Sequence, residues 1–336
     1  MTPFIILLIK RHAVAYRMAS LLLGMWQRWL IEWERGIYLL RAWQRGIRAG
    51  EMHAQTMAAF KSKLAARGLV WPPQPQGRPL HIVYLSASHS GDWERINMPH
   101  ELQKLGKATC YFVRDRVNYP FAAMQSHTDW AAARPQVSQA IGDFVQALHA
   151  NDPVDMVLSY LSGTHISVAA IQRLKALGIP VLAMHLDDRL FFKGPRCGDQ
   201  WLGMASVCQA YDLNLSNALR SLVKYRVAGG EVLFWPEGAN ADHFAPRELE
   251  FKFDVSFIGA RYGLRGPFID GLRRQGLTVA CFGAGWEFGS VSVDEMVNIY
   301  AQSRINLGFG YVGFTRDTCL KGRDFEVPSA GAEAAK

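Results

Sequence analysis

The sequence predicts an α/β protein with parallel sheets in two domains, preceded by a basic helical arm. Between residues 80 and 309, short apolar strands alternate with helical segments of about ten residues, a pattern typical of parallel sheets. Before them, residues 13–66 carry apolar side chains at helical spacing. With 336 residues, 49% of them hydrophobic, the chain is long enough to build two cores.

The first segment, residues 1–70, is interpreted as the arm, and residues 13–66 are predicted to be helical apart from Gly24, Gly36, Gly46 and Gly50. Residues 1–75 contain eleven Lys and Arg residues and three acidic residues, so they hold the whole formal net charge of +8. One side of the predicted helix is apolar and rich in tryptophan: Trp26, Trp29, Trp33, Ile37 and Leu40. The basic character of the protein therefore belongs to the arm.

Two interpretations of this apolar stripe remain open. A basic helix with tryptophans suits the surface of an anionic membrane. Most apolar stripes instead pack on the body of the protein or on a second copy of the chain, and the pattern slightly favours this packing. The arm has no nucleic-acid-binding motif, so nucleic acid is not expected as a partner.

A proline-rich linker, residues 71–79, precedes the first α/β domain, residues 80–245. The predicted strands of this domain are Leu80–Leu85, Cys110–Arg114, Val154–Tyr160, Pro180–Leu186, Leu213–Ser216 and Val232–Trp235. A loop of small residues follows the first strand, at a position where ligands often approach the backbone. Ser86, Ser88 and Gly91 are therefore candidate substrate contacts.

The second α/β domain is predicted over residues 252–336. Its strands are Asp254–Gly259, Leu277–Gly283 and Arg304–Phe309, and a helix is predicted over Ser292–Ala301. Ligands of such domains lie at the carboxyl ends of the strands. The chain ends at Lys336, soon after a further helix begins, so a shortened sheet is expected.

A polar cluster directly follows the buried strand Pro180–Leu186. His185, Asp187 and Asp188 lie where parallel strands place ligand contacts. A carboxylate there can orient a hydroxyl, and a histidine can take its proton. The alternative, weighed about equally, is an aspartate that caps a helix and a histidine whose hydrogen bonds are satisfied internally.

A second candidate cluster lies in the second domain. Lys321 and Arg323 stand on a glycine turn that enters a helix, a place where phosphate groups bind, and Glu326 lies one turn further on. Arg261 and Arg265 follow the Gly259 turn, and their guanidinium groups suit a diphosphate. The alternative for each is a solvated surface side chain.

Four segments of this domain carry a resemblance to a known family. They are Val255-Ser-Phe-Ile-Gly259, Phe282-Gly-Ala-Gly-Trp286, Ser303-Arg-Ile-Asn-Leu307 and Lys321-Gly-Arg-Asp-Phe-Glu-Val-Pro328, spread over about seventy residues. In order and spacing they resemble the C-terminal domain of CgeB-like glycosyltransferases, members of the group 1 glycosyltransferases. The resemblance implies two Rossmann-like domains (the GT-B fold), the C-terminal one truncated here.

The resemblance also implies the chemistry. The C-terminal half would hold a nucleotide-sugar donor through Gly259, Arg261, Arg265, Lys321, Arg323 and Glu326, and the N-terminal domain would take the acceptor. Transfer would occur in the cleft between the domains, with His185, Asp187 and Asp188 as catalytic candidates. No bound metal and no cofactor would be needed. Many members carry two glutamates seven residues apart; Glu326 matches the second, whereas Thr318 stands in the first position.

The sequence therefore predicts a glycosyltransferase with an unidentified acceptor. The alternative is a non-catalytic, degenerate glycosyltransferase-like scaffold that binds a partner, a membrane surface or a second copy through residues 13–66. The five cysteines are scattered without a CxxC pair, as in reduced cytoplasmic proteins. No apolar run reaches the length of a membrane span, so a cytoplasmic protein, at most peripheral to a membrane, is expected.

Overall fold

The structure is a computed structural model, and it describes residues 13–48, 53–87, 93–117, 127–315, 318–332 and 334–335. The chain divides into two units. The larger unit comprises Arg35–Trp235, and the smaller unit comprises Met1–Glu34 together with Pro236–Lys336. Both are built on parallel sheets, so the predicted α/β class is confirmed.

Parallel strands form the centre of the larger unit. Its strands are β1 (Leu80–Ser86), β2 (Gly106–Phe112), β3 (Met156–Tyr160), β4 (Val181–His185), β5 (Arg196–Cys197), β6 (Gln200–Trp201), β7 (Leu213–Ser216) and β8 (Val232–Phe234). Six of them form one parallel sheet in the order β2-β1-β3-β4-β7-β8, and β5 and β6 form a short antiparallel pair. The order reverses between β1 and β3, so the carboxyl ends of these strands border the crevice where ligands of such sheets bind.

Helices cover both faces of this sheet. They are α1 (Ala13–Gln44), whose last ten residues belong to this unit, α2 (His53–Ala65), α3 (Met98–Leu105), α4 (Val113–Arg116), α5 (His127–Asn151), α6 (Val168–Lys175), α7 (Asp188–Phe191) and α8 (Leu222–Val227). Successive strand residues point to opposite faces. Val83 thus joins the cluster that contains Ile141 of α5, whereas Ile82 joins the cluster that contains Phe60 and Leu64 of α2.

The second part of the predicted arm is a core helix of the larger unit. Phe60 and Leu64 are fully buried, and Arg67, just after α2, donates two hydrogen bonds to the buried carboxylate of Asp212 at 2.8 and 2.9 Å. Arg67 also donates to the backbone oxygens of Lys175 and Ile179. This segment is therefore an integral part of the fold.

The smaller unit repeats the parallel pattern. Its elements are β9 (Phe253–Ile258), α9 (Arg265–Arg274), β10 (Val279–Phe282), α10 (Val293–Ala301), β11 (Ser303–Leu307), α11 (Arg323–Ser329) and β12 (Ala334–Ala335). The sheet order is β10-β9-β11-β12, which places β9 at the reversal of strand order. The carboxyl end of β9 is therefore the ligand-binding position of this sheet.

The first part of α1 packs on the smaller unit. The backbone N–H of Phe314 donates to the side-chain oxygen of Gln27 at 2.8 Å. Gly24 lies directly against the carbonyl of Phe314, where a Cβ atom would come closer than 3.0 Å to the oxygen. Ser20 and Ile31, on the same side of α1, are buried. This side of the helix is the packed one.

Two sequence expectations need correction. The helical segment predicted over residues 13–66 is not interrupted at Gly24 or Gly36, because α1 continues through both glycines to Gln44. The predicted interruption at Gly46 is confirmed, and its φ of 65° is a left-handed conformation that commonly ends helices. The expectation that the tryptophan stripe packs on the body of the protein is also wrong, because Trp26, Trp29 and Trp33 are each more than half exposed. Its packing on a second copy of the chain stays a prediction.

The other differences are small. The strand predicted to end at Arg114 ends at Phe112, and α4 begins at Val113. Within the described residues, no helix combines the length and the apolar character that a membrane crossing requires.

Candidate functional site

The carboxyl ends of the parallel strands in the larger unit bring polar side chains together. β4 ends at His185, and the neighbouring strand β7 ends at Ser216. These two residues face each other in the strand register. Asp188 begins the short helix α7 three residues after His185 and is fully buried.

Asp188 is the centre of a hydrogen-bonded cluster. His185 Nδ1 lies 2.7 Å from one carboxylate oxygen. The other oxygen accepts from the Ser216 hydroxyl at 2.5 Å and from the Tyr225 hydroxyl at 2.8 Å. Lys224, also buried, donates to the backbone oxygens of Asp188 and Arg189, which brings a positive charge close to the buried carboxylate. His185, Ser216 and Tyr225 thus give both oxygens of the buried carboxylate a hydrogen-bond partner.

The cluster sets the protonation of its members. Burial alone would lower the pKa of His185, but the carboxylates of Asp188 and Asp187 outweigh it, and the pKa is raised. Burial and the charge of Asp188 raise the pKa of Tyr225 well above its ordinary value, so its hydroxyl remains a donor. Among the described residues, Nε2 of His185 has no hydrogen-bond partner. Asp188 thus orients a histidine whose second nitrogen is available to a substrate.

Asp187 has a different position from Asp188. Its backbone is left-handed, with φ at 60°, and its N–H donates to the side-chain oxygen of Asn217 at 3.0 Å. Asp187 therefore shapes the turn between His185 and Asp188 and contributes to the raised pKa of His185. The direct contact with the histidine belongs to Asp188.

The loop after β1 is described in part. Ser86 is fully buried, and its hydroxyl donates to the carboxylate of Glu94. Ser88 and Gly91, the other candidates in this loop, lie outside the described residues. Ser86 and Glu94 therefore lie at the switch point of the larger unit, whereas His185 ends the strand on the far side of β3.

A cavity of about 460 Å³ opens elsewhere on the larger unit. Arg134, Ser167, Gln200 and Trp201 are among the residues that line it. His185, Asp188 and Ser216 are not among them, so the cavity is separate from the histidine cluster.

In the smaller unit, the turn after β9 brings two arginines to a glycine. Gly259 has φ at 147°, a conformation that favours glycine. A Cβ atom at this position would lie 2.6 Å from Arg323 Nη2 and 3.3 Å from Arg265 Nη1. Two guanidinium groups therefore approach the backbone at the switch point of this sheet.

Each arginine is fixed by a different element. Arg265 is buried at the start of α9, donates to the Ala260 carbonyl at 2.9 Å and lies 4.0 Å from the Tyr262 ring centroid. Arg323 starts α11 and lies over the Phe257 ring at 5.4 Å. Among the described residues, Arg323 makes no ion pair with a carboxylate. Its charge is available to an anion.

Glu326 lies beside this pair on the same helix as Arg323. Its carboxylate lies against Gly322 and accepts from the Tyr300 hydroxyl at 3.4 Å. Burial, and then the charge of Glu326, raise the pKa of Tyr300, so the tyrosine acts as the donor. Lys321 stands in the turn before α11, where its backbone N–H donates to Asp324 at 3.0 Å.

Arg261 points to a different set of partners. Its guanidinium lies 4.8 Å from the ring centroid of Trp286 and 3.4 Å from an Asp270 oxygen. The Trp286 ring nitrogen in turn donates to the Gly259 carbonyl at 2.8 Å. The structure thus brings Arg265 and Arg323 together at Gly259 and places Arg261 on the neighbouring tryptophan.

Several members of these clusters were not among the sequence candidates: Ser216, Lys224, Tyr225, Glu94 and Tyr300. Ser216 offered a signal, because it ends a buried strand next to Asn217, as His185 ends β4. Tyr225 and Tyr300 offered none, since a buried tyrosine in a helix resembles an ordinary core residue.

Comparisons with known proteins give weak likenesses. No protein-family model and no curated protein matches this chain. Among the solved structures, the glycosyltransferase SnogD from Streptomyces nogalater is 10% identical, with 70% of this chain and 78% of that chain covered and a TM-score of 0.34. A protein assigned as a dienelactone hydrolase from Klebsiella pneumoniae subsp. pneumoniae is 15% identical, with 51% of this chain and 80% of that chain covered and a TM-score of 0.32. Because both scores are low, the functional argument depends on the geometry of the two clusters.

Proposed function

We propose that the protein is a glycosyltransferase that uses a nucleotide-sugar donor. The observation that supports this most directly is the convergence of Arg265 and Arg323 on Gly259, at the switch point of the smaller sheet. A glycine lets a phosphate approach the backbone, and two guanidinium groups match its oxygens. The diphosphate of a nucleotide sugar has the charge and size that such a site binds.

The neighbouring carboxylate fits the rest of such a donor. Glu326 shares its helix with Arg323, and a carboxylate beside a phosphate site can accept the hydroxyls of a ribose. As the glycosidic bond breaks, negative charge grows on the departing diphosphate. Arg265 and Arg323 would stabilise that charge, so we propose that the reaction proceeds without a bound metal.

The larger unit would supply the base. His185 Nε2 would take the proton of an acceptor hydroxyl as its oxygen bonds to the anomeric carbon of the donor sugar. The bond from that carbon to the diphosphate breaks, and the diphosphate leaves with the electron pair. Asp188 holds Nδ1 and stabilises the positive charge that forms on the ring.

We further propose that the chain is related to CgeB-like glycosyltransferases with the GT-B fold. What supports this is that Gly259 and Arg323, from two of the resembling segments, lie side by side. The hydrogen bond between His185 and Asp188 favours the enzyme over the non-catalytic scaffold.

Calorimetric titration with a panel of nucleoside diphosphates tests the donor site. We expect at least one to bind, and Arg323→Ala to weaken its binding by about 1.5–3 kcal/mol, the scale of a charge-assisted hydrogen bond. Arg274→Ala, an exposed arginine of α9, is the matched control and should bind like the parent. Failure of every diphosphate to bind, or equal affinities for the two variants, would refute the donor site.

A second titration separates phosphate binding from ribose binding. Inorganic pyrophosphate carries the charge without the sugar, so Glu326→Ala should weaken only the nucleotide, by about 1–3 kcal/mol. Arg323→Ala should weaken both ligands. If Glu326→Ala in a folded protein leaves nucleotide affinity unchanged, Glu326 has no role in the site.

The catalytic assignment is tested by turnover. His185→Ala should reduce kcat much more than donor affinity, because the histidine acts on the acceptor in the transition state. Sugar transfer by this variant at the parent rate would remove His185 from the mechanism.

A further inference from the structure

Helix α1 has two different faces. Ser20, Gly24, Gln27 and Ile31, spaced four, three and four residues apart, form one face; Ser20 and Ile31 are buried, and Gly24 and Gln27 contact Phe314. Since a helix turns once per about 3.6 residues, these positions lie on a single side. The small and polar residues of α1 therefore face the protein.

The opposite side of α1 is apolar and exposed. We call it the tryptophan face, and it consists of Met18, Leu22, Met25, Trp26, Trp29 and Trp33, with exposed fractions between 52% and 70%. The tryptophan rings stack along it, with centroids 5.2 Å apart for Trp26 and Trp29 and 5.7 Å apart for Trp29 and Trp33. Contiguous exposed apolar surface of this kind marks an interaction site.

The charge of the surrounding sequence identifies the partner. Residues 1–75 carry eleven basic and three acidic residues, and the remainder of the chain is balanced. On α1, the exposed Arg28 lies about 110° around the helix from the centre of the tryptophan face. A long arginine side chain can extend towards an interface while the apolar side chains enter it. An anionic partner is favoured.

We propose that the tryptophan face binds the surface of an anionic lipid bilayer. Tryptophan prefers the boundary between water and acyl chains, where the ring is buried and its N–H stays hydrogen-bonded. The helix would lie in the plane of the surface, with Ser20, Gly24 and Gln27 still against the smaller unit.

A second copy of the chain is a poorer occupant. A symmetric dimer through the tryptophan face would place the same basic segments of two chains beside each other. Like charges at an interface oppose association, whereas anionic headgroups are attracted to them.

Co-sedimentation of the full-length protein with vesicles tests the proposal. The protein should sediment with phosphatidylcholine–phosphatidylglycerol vesicles, and only weakly with pure phosphatidylcholine. Added salt should reduce binding without abolishing it, because salt screens the arginines and not the apolar contact. The triple variant Trp26→Ser/Trp29→Ser/Trp33→Ser should lose at least about tenfold in affinity for the anionic vesicles.

A matched variant controls for loss of exposed apolar side chains in general. Trp201→Ser/Leu219→Ser/Phe251→Ser removes three side chains that are 41%, 50% and 57% exposed elsewhere, and it should bind vesicles like the parent. Both triple variants change exposed positions, so both should keep the parent's circular dichroism spectrum.

Two results would overturn the proposal. One is a parent protein that stays in the supernatant with anionic vesicles at low salt. The other is a parent that sediments as a dimer in analytical ultracentrifugation while the Trp26→Ser/Trp29→Ser/Trp33→Ser variant is monomeric, which would assign the face to a second copy.

Discussion

The contact of Gly24 with Phe314 makes a sharp prediction about two glycines of one helix. Gly24 and Gly36 both lie in α1. A Cβ atom at Gly24 would collide with the backbone carbonyl of Phe314, whereas a Cβ atom at Gly36 would meet nothing within 4 Å. Replacement of each by alanine should therefore change stability in opposite directions.

The magnitude at Gly24 follows from the contacts that the helix would lose. Because the obstacle is backbone, it cannot rotate away, and α1 must lift from the smaller unit. That movement breaks the Gln27 hydrogen bond, worth about 1 kcal/mol, and exposes Ile31, whose burial contributes about 1.5–3 kcal/mol. The higher helix propensity of alanine offsets about 1 kcal/mol of this loss in stability. The net loss is about 2 kcal/mol.

Gly36→Ala gains helix propensity without a clash and should stabilise the protein by about 0.5–1 kcal/mol. Thermal unfolding followed by circular dichroism measures both effects. We expect the midpoint of Gly24→Ala to fall by about 5 °C and that of Gly36→Ala to rise by about 2 °C. If Gly24→Ala is as stable as Gly36→Ala, the first part of α1 does not pack on the smaller unit through this glycine.

Three further outcomes are expected. kcat/KM should fall as pH drops through the raised pKa of His185. Asp188→Asn should shift that fall to lower pH and reduce the rate. If the pH profile of this variant is unshifted, Asp188 does not act on His185. Protonated His185 stabilises the fold below its unfolded pKa of about 6.5, and this contribution is lost as pH rises through the folded pKa. Urea unfolding should therefore show a larger parent-minus-His185→Gln difference at about pH 5.5 than at about pH 8.5, and an equal difference would contradict this linkage. Arg67→Met removes two hydrogen bonds from buried Asp212 and should cost about 3 kcal/mol in urea unfolding, whereas Arg196→Met, whose partner is exposed, should cost under about 1 kcal/mol.

The sequence predicted the strands well and the packed face of the long helix poorly, for a physical reason. Buried parallel strands such as β3 and β4 are short apolar runs between turn residues, so their local signal is strong. In α1, the apolar stripe favoured a packed role for the tryptophans. The face that packs is made of Ser20, Gly24 and Gln27, which composition assigns to the outside. A close contact between a helix and its neighbour needs small residues, and a hydrophobicity pattern does not identify such residues.

The candidate site shows the same division. His185 and Asp188 could be proposed because they directly follow a strand. Ser216 and Tyr225 lie 28 and 37 residues beyond Asp188 and reach it only through the fold. In the smaller unit, the sequence grouped Arg261 with Arg265. The structure pairs Arg265 with Arg323 at Gly259, because α11 returns to the end of β9. Contacts of this range depend on topology.

The buried carboxylate of Asp188 also governs how the larger unit folds. Its donors come from the end of β4, the end of β7 and helix α8, so a partly folded state without α8 would leave a charge in the interior with too few partners. Such a state is disfavoured by several kcal/mol. Amides of β4, β7 and α8 should therefore exchange with solvent through one common opening. Because all three segments are needed to satisfy this one charge, they assemble in a single cooperative event although they are distant in the chain.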